Sequence, residues 1–200
     1  MKVLGIVGSP RKNGNTAVLV KEVLDTAASY GVETEMINVT DYDIKPCDGC
    51  ETCTPTGKCK IKDDMQAIYT KLLESDGIVF GSPVYFWGVT AQLKVLIDRS
   101  FVFRRGRRLR NKVAGAVLVA RDTGASSAFS ALNDFFSLHR MLPARSIGPR
   151  TVEELAQERG GAAIGYADKR GEVRENKKAM AEARALGRMM VETINVLKKK

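Results

Sequence analysis

Short apolar runs alternate with apolar residues at helical spacing along nearly the whole chain, and this alternation constrains it to a layered α/β architecture. Residues 2–8 read KVLGIVG and close on Gly8-Ser9-Pro10, as suits a strand buried on both faces of a parallel sheet. Ala17, Val20, Leu24 and Ala27 then recur at helical spacing until Tyr30-Gly31, with Thr16 as the expected N-terminal cap. Residues 33–39 alternate as a second strand. After a cysteine-rich stretch, Asp63-Asp64 are expected to open a helix through about Glu74, since acidic groups favour a helix N-terminus. Residues 77–81 form a third apolar run ending in Ser82-Pro83, and Val89, Leu93, Leu96 and Ile97 mark the next helix. Residues 113–120 are a fourth strand, with a helix expected near 127–139. The stretch 142–161 is irregular and contains Pro143 and Pro149, so a fifth strand has two candidates, 144–147 and 162–166. Met180, Ala183, Gly187, Met190, Val191, Ile194 and Leu197 define a terminal helix. The sum is one domain over residues 1–200, a three-layer, doubly wound parallel sheet with a cysteine-rich insertion after the second strand. Ligands of such a sheet bind outside the carboxyl ends of its strands.

No apolar run approaches the roughly eighteen residues of a membrane span, and the first residues lack a signal-peptide layout, so a cytoplasmic protein without membrane contact is expected. The net charge of +9 resides largely in Arg104, Arg105, Arg107, Arg108 and Arg110 and in the final lysines 198–200. No nucleic-acid-binding module or stacking platform accompanies that charge, and nucleic acid is not an expected partner. The single histidine, His139, excludes any scheme needing two imidazoles, and none is assigned to it.

Between the first strand and the first helix stand Gly8-Ser9-Pro10-Arg11-Lys12-Asn13-Gly14-Asn15-Thr16. Backbone N–H groups, hydroxyls and a basic side chain at the positive end of a helix suit a phosphate. A Walker loop needs GK[ST] and a dinucleotide loop needs GxGxxG. Neither is present, which leaves a monophosphate such as that of FMN as the best fit. At the end of the third strand, Pro83-Val84-Tyr85-Phe86-Trp87-Gly88 sets three consecutive aromatics beside the expected crevice. They can wall a flat ring, or else plug a sheet edge or a subunit interface.

All four cysteines fall between positions 47 and 59, in a CxxCxxCx5C array of Cys47, Cys50, Cys53 and Cys59. Thiolates this close in sequence can wrap one iron–sulfur cluster. Zinc ribbons separate their CxxC knuckles by about fifteen to twenty residues and fit less well, while thiol or disulfide chemistry stays open.

The pairing of GSPRKNGNT after the first strand with GSPVYFWGVTAQLKVLIDR after the third resembles the NADPH-dependent FMN reductase superfamily, whose fold is flavodoxin-like. That resemblance implies FMN, with phosphate contacts from Ser9, Arg11, Asn13, Asn15 and Thr16. It implies ring contacts from Pro83, Val84, Tyr85, Phe86, Trp87 and Gly88, with Asp122, Thr123 and Gly124 closing the far side. The glycine-rich segment of the superfamily after the fourth strand is here Ala120-Arg-Asp-Thr-Gly-Ala-Ser-Ser127, a departure from the pattern. The complete cysteine array is similar to that of the iron–sulfur flavoproteins, which implies one [4Fe–4S] cluster on Cys47, Cys50, Cys53 and Cys59. The implied activity is electron transfer from a ferredoxin-like donor or NAD(P)H, through cluster and FMN, to a small-molecule acceptor such as dioxygen, peroxide or a quinone. A homodimer or homotetramer is also implied. Two other readings are a cluster-free NAD(P)H-dependent FMN or quinone reductase and a flavin-binding redox sensor or scaffold. The arginine run is either a solvated loop or a surface that steers an acidic donor or holds the 2′-phosphate of NADPH.

Overall fold

The computed structural model describes residues 1–147, 151 and 160–199. Its strands are β1 Lys2–Val7, β2 Glu33–Asn38, β3 Gly77–Pro83, β4 Val113–Ala120, β5 Leu142–Pro143 and β6 Ala162–Tyr166. The helices are α1 Asn15–Ser29, α2 Cys53–Thr56, α3 Met65–Glu74, α4 Ala91–Arg99, α5 Ala125–Leu138 and α6 Lys177–Lys198. All strand pairs are parallel, in the order β2-β1-β3-β4, and the short β5 and β6 both pair with β4. This is the doubly wound, flavodoxin-like arrangement, with β1 at the point where the strand order reverses.

Successive strand residues point to opposite faces, and the chain has apolar side chains for both. Val3, Val7, Val79 and Val117 pack with Val20 of α1 and Leu186 and Met190 of α6. Leu4, Ile6, Ile78 and Phe80 pack with Ile68 of α3, Leu96 of α4 and Phe136 of α5. Helices α1 and α6 approach closely because Gly187 of α6 faces α1. A Cβ there would lie 2.6 Å from the Val23 carbonyl oxygen. Among the described residues no helix is long and apolar enough to cross a membrane.

Two expectations change. Thr16 does not cap α1. Gly14 is the N-cap, without a side-chain hydrogen bond, and Thr16 is buried at the second helical position. A Cβ added to Gly81 would lie 3.0 Å from the Thr16 methyl, so this side chain is turned toward the sheet. The fifth-strand position is shared by Leu142–Pro143 and Ala162–Tyr166, with the latter pairing along Ala116–Ala120, while 144–147 form no strand. There the chain leaves the sheet for α6, since Arg145 N–H donates to Thr193 Oγ1 and Ile147 N–H to a Glu192 carboxylate oxygen, each at 3.0 Å. Pro149 and most of the irregular stretch around it lie outside the described residues, as does Lys200.

Asp63 and Asp64 precede α3 but serve the cysteine insertion as well. Asp64 accepts from the Asp43 N–H at 2.8 Å and Asp63 from the Lys45 N–H at 2.9 Å, tying the two ends of the insertion together. The Asp63 side chain is almost wholly buried against Arg99, the last residue of α4. Burial alone would raise the Asp63 carboxyl, yet the Arg99 guanidinium and the N–H groups of Lys45 and Met65 hold it below its ordinary value.

Candidate functional site

The carboxyl ends of β1 and β3 are stitched together before any ligand is considered. Gly8 N–H donates to the Gly81 carbonyl at 2.8 Å, Thr90 Oγ1 donates to the Gly8 carbonyl at 2.6 Å, and Thr90 N–H donates to Ser82 Oγ at 3.0 Å. Thr90 also caps α4 through the Leu93 N–H. The loop after β1 curls over this seam, with Arg11 N–H on Ser9 Oγ at 3.1 Å and Gly14 N–H on the Arg11 carbonyl at 3.2 Å.

A cavity of about 230 Å³ opens beside that loop. Ser9, Arg11, Gly14, Asn15 and Thr16 line one side of it, and Pro83, Val84 and Tyr85 another. The first N–H groups of α1 have no intrahelical acceptor, and with Arg11 they make this wall a donor surface for an anion. Asn13 does not line the cavity. It sits at the loop's bend with φ +57°. Asn15 lines it and also clamps the segment after β6, donating to the Lys169 carbonyl at 2.9 Å.

The aromatic loop divides. Tyr85 and Gly88 exchange two backbone hydrogen bonds, of 3.0 and 2.9 Å, around Phe86 and Trp87, which both have positive φ. This is a two-residue hairpin turn, and its positive φ values place Phe86 and Trp87 at the tip, outside the cavity. Phe86 is fully exposed. Trp87 leans instead on the loop after β4, its Nε1–H donating to Thr123 Oγ1 at 3.3 Å. Thr123 and Gly124 therefore meet the aromatic loop, and neither they nor Asp122 line the cavity.

The remaining wall was not foreseen from sequence. Val119 and Arg121 come from the end of β4, and Ala167 and Asp168 follow β6. Arg121 and Asp168 pair at 3.4 Å across it. The only signal was positional, because residues just past a strand's carboxyl end face the crevice in this fold.

The cysteines line a second cavity of about 430 Å³, in company with Arg99, Phe101 and Val102. Cys47 and Cys50 are exposed, whereas Cys53 and Cys59 are half-buried against the core. Burial, and then the nearby Cys59, Cys47 and Cys50, push the Cys53 thiol above its ordinary value. Among the described residues no three His, Cys, Asp or Glu side chains gather closely enough to hold a single metal ion. The sulfurs surround a space and do not converge on a point. Cys53 opens the short helix α2, which ends at Gly57 with φ +66°, and Lys60 pairs with Asp48 at 3.0 Å across the loop.

The arginine run packs on this loop. Arg105 donates to the Thr54 carbonyl and Arg108 to the Gly57 carbonyl, while Arg104 lies over the Phe101 ring at 5.7 Å and Arg108 over Phe103 at 5.2 Å. It is therefore not merely a solvated loop.

The sequence profile of the NADPH-dependent FMN reductase family matches residues 1–149, across both ligand loops and the cysteine insertion. An iron–sulfur flavoprotein of Methanocaldococcus jannaschii is 43% identical over 201 residues, covering all of both chains. Another, from Archaeoglobus fulgidus, is 37% identical, covering 99% of this chain and 98% of its own. The chain belongs to the iron–sulfur flavoprotein family of NADPH-dependent FMN reductases. As a member of the iron–sulfur flavoproteins it is a flavin-dependent oxidoreductase. Its fold is also that of a RosB crystal structure solved with 8-demethyl-8-formylriboflavin-5′-phosphate, with a TM-score of 0.75 at 18% identity over all of this chain and 81% of that one. A WrbA-like flavodoxin from Agrobacterium tumefaciens gives a TM-score of 0.61 at 18% identity, covering 99% of this chain and 98% of the other.

Proposed function

We propose that the protein transfers electrons between a one-electron donor and a small-molecule acceptor, using FMN and a [4Fe–4S] cluster that it binds in its two cavities. The observation that carries this reading is that all four cysteines border a single cavity large enough for a multi-atom group, on a chain of flavin reductase family. Four thiolates are the donor set such a cluster requires, and Cys47, Cys50, Cys53 and Cys59 would hold its irons.

FMN in its own cavity supplies two-electron storage, and the cluster supplies single-electron exchange. The protein's part is to bind and orient. Ser9, Arg11, Asn15 and Thr16 and the first N–H groups of α1 hold the phosphate, with Asn13 shaping the turn that presents them. Pro83, Val84 and Tyr85 lie against the ring, and the hairpin tip of Phe86, Trp87 and Gly88, braced by Asp122, Thr123 and Gly124, shields it. No protein acid or base is required. A fully exposed Phe86 beside a cofactor crevice suits coverage by a second copy in a homodimer or homotetramer. The arginines packed on the cysteine loop suit a ferredoxin-like donor, with NAD(P)H as the other reductant. Dioxygen, peroxide or a quinone is the proposed acceptor.

Anaerobically purified protein tests this directly. Flavin, with about four iron and about four sulfide per chain, supports the reading. Flavin without iron leaves a cluster-free NAD(P)H-dependent reductase in its place. Flavin and cluster without steady-state oxidation of reduced ferredoxin or NAD(P)H would indicate a redox sensor.

A further inference from the structure

The wall of the cysteine cavity contains a buried cation that neither family membership nor ligand count explains. Arg99 is 2% exposed, and its guanidinium meets the Asp63 carboxylate through two bonds, Nη1 to Oδ2 at 2.6 Å and Nη2 to Oδ1 at 3.0 Å. Nη1 also donates to the Lys45 carbonyl at 2.6 Å. Of the two N–H groups left, Nε–H is buried on a nitrogen without a partner. A buried polar group left unpaired is costly, so a cation kept behind this wall with a donor to spare points to negative charge close by.

Arg99 lines that cavity and Asp63 does not, so the cation is the member of the pair nearer the cysteines. Tyr69, buried behind, donates to the Arg99 carbonyl at 2.9 Å and holds the end of α4 in place. Burial alone would lower the Arg99 pKa, but the Asp63 carboxylate holds it raised. The other charges of the wall differ. Lys60 pairs with Asp48 and Asp98 with Lys94, all four side chains being about half exposed and so screened by solvent.

We propose that Arg99 is a positioning residue for the iron–sulfur cluster, its buried charge just behind the cavity wall favouring the cluster's one-electron-reduced form. The inference rests on the cluster reading above. Reduction adds one electron and no proton, so the site becomes more negative by one charge. A cation held in a low-dielectric wall stabilises that state more than the oxidised one, and Asp63, further away, opposes it less.

The test compares wild type, Arg99→Gln, Arg99→Lys and Asp63→Asn, each purified anaerobically, analysed for iron and sulfide, and titrated with mediators while the reduced cluster is followed by electron paramagnetic resonance. In Arg99→Gln the reduced-to-oxidised ratio at a fixed potential should fall about tenfold, a shift of about 59 mV downward for a one-electron couple. Asp63→Asn should shift the midpoint upward, because it removes the opposing charge, and Arg99→Lys should lie between wild type and Arg99→Gln. A midpoint unchanged in Arg99→Gln, or moving the same way in Arg99→Gln and Asp63→Asn, overturns the proposal. Should Arg99→Gln fail to hold iron, an upward shift in Asp63→Asn supports the proposal and an unchanged or lower midpoint overturns it. Loss of iron from all three variants would assign the pair to folding of the loop and overturn the tuning role. Wild-type protein without iron or sulfide overturns the cluster reading itself, and that result is seen before any variant is compared.

Discussion

The Trp87 indole lies over Gly124 so closely that a Cβ added to that glycine would stand 2.1 Å from Trp87 Cδ1. Gly124 also has φ +85°, in the left-handed region that L side chains rarely adopt. Two loops at the carboxyl edge of the sheet are thus joined by one ring and the absence of one methyl group.

Gly124→Ala should therefore displace Trp87 and destabilise the protein by about 1–3 kcal/mol, the usual scale for a strained backbone position. Trp87 is the chain's single tryptophan, so its fluorescence reports the change without ambiguity. Emission should shift to the red in the variant, and an unchanged spectrum would show that the contact between the loops is dispensable.

Arg11→Ala removes the charged side chain from the donor wall of the smaller cavity. A charge-assisted hydrogen bond contributes about 1.5–3 kcal/mol, so FMN should bind roughly ten- to a hundredfold more weakly. Quenching of flavin fluorescence on titration measures this. Equal affinity would place the phosphate elsewhere.

His139 is buried, stacked edge-on against Phe135 at 4.7 Å, and its Nδ1 has no hydrogen-bond partner. Burial first, and then the charge of Arg104, lower its pKa from the ordinary 6.5. The unfolded chain accordingly takes up a proton near pH 6.5 that the folded chain resists. Its contribution to stability is complete above that pH and declines as pH falls toward the lower folded value. Denaturant melts at pH 7.5 and about pH 5.5 should show this loss in wild type and less of it in His139→Gln. The same acid loss in both proteins would assign it to other groups.

Arg105 and Arg108 both reach carbonyls of the cysteine loop while remaining largely open to solvent. Exchanging both for glutamine should slow reduction by ferredoxin severalfold at low salt and flatten the dependence of that rate on ionic strength. Stopped-flow reduction across a salt series reads the effect, with reduction by a small neutral reductant as the control. Identical salt dependence in variant and wild type would remove this surface from donor docking.

Much of the fold was legible locally. The runs at residues 2–8, 77–81 and 113–120 became β1, β3 and β4, because a strand buried on both faces needs unbroken apolar sequence. The second candidate for a fifth strand, 162–166, was recognisable, but its choice over 144–147 depended on Thr193 and Glu192 of α6 drawing the latter off the sheet. Thr16 looked like a cap because capping statistics are local, and it was withdrawn by Gly81 on a neighbouring strand. The aromatic trio divided between cavity and tip because consecutive residues at a hairpin turn diverge, which composition alone does not reveal.

By itself the sequence determined the layering of the molecule, the loops that follow β1 and β3 and the gathering of every cysteine into thirteen positions, since all of these are encoded in intervals of a few residues. Only the tertiary structure brought Arg99 to Asp63, 36 positions away, Arg105 to Thr54, 51 away, and Arg121 to Asp168. Such pairs depend on strand register and on how each helix crosses the sheet, and those are settled by packing the whole chain at once.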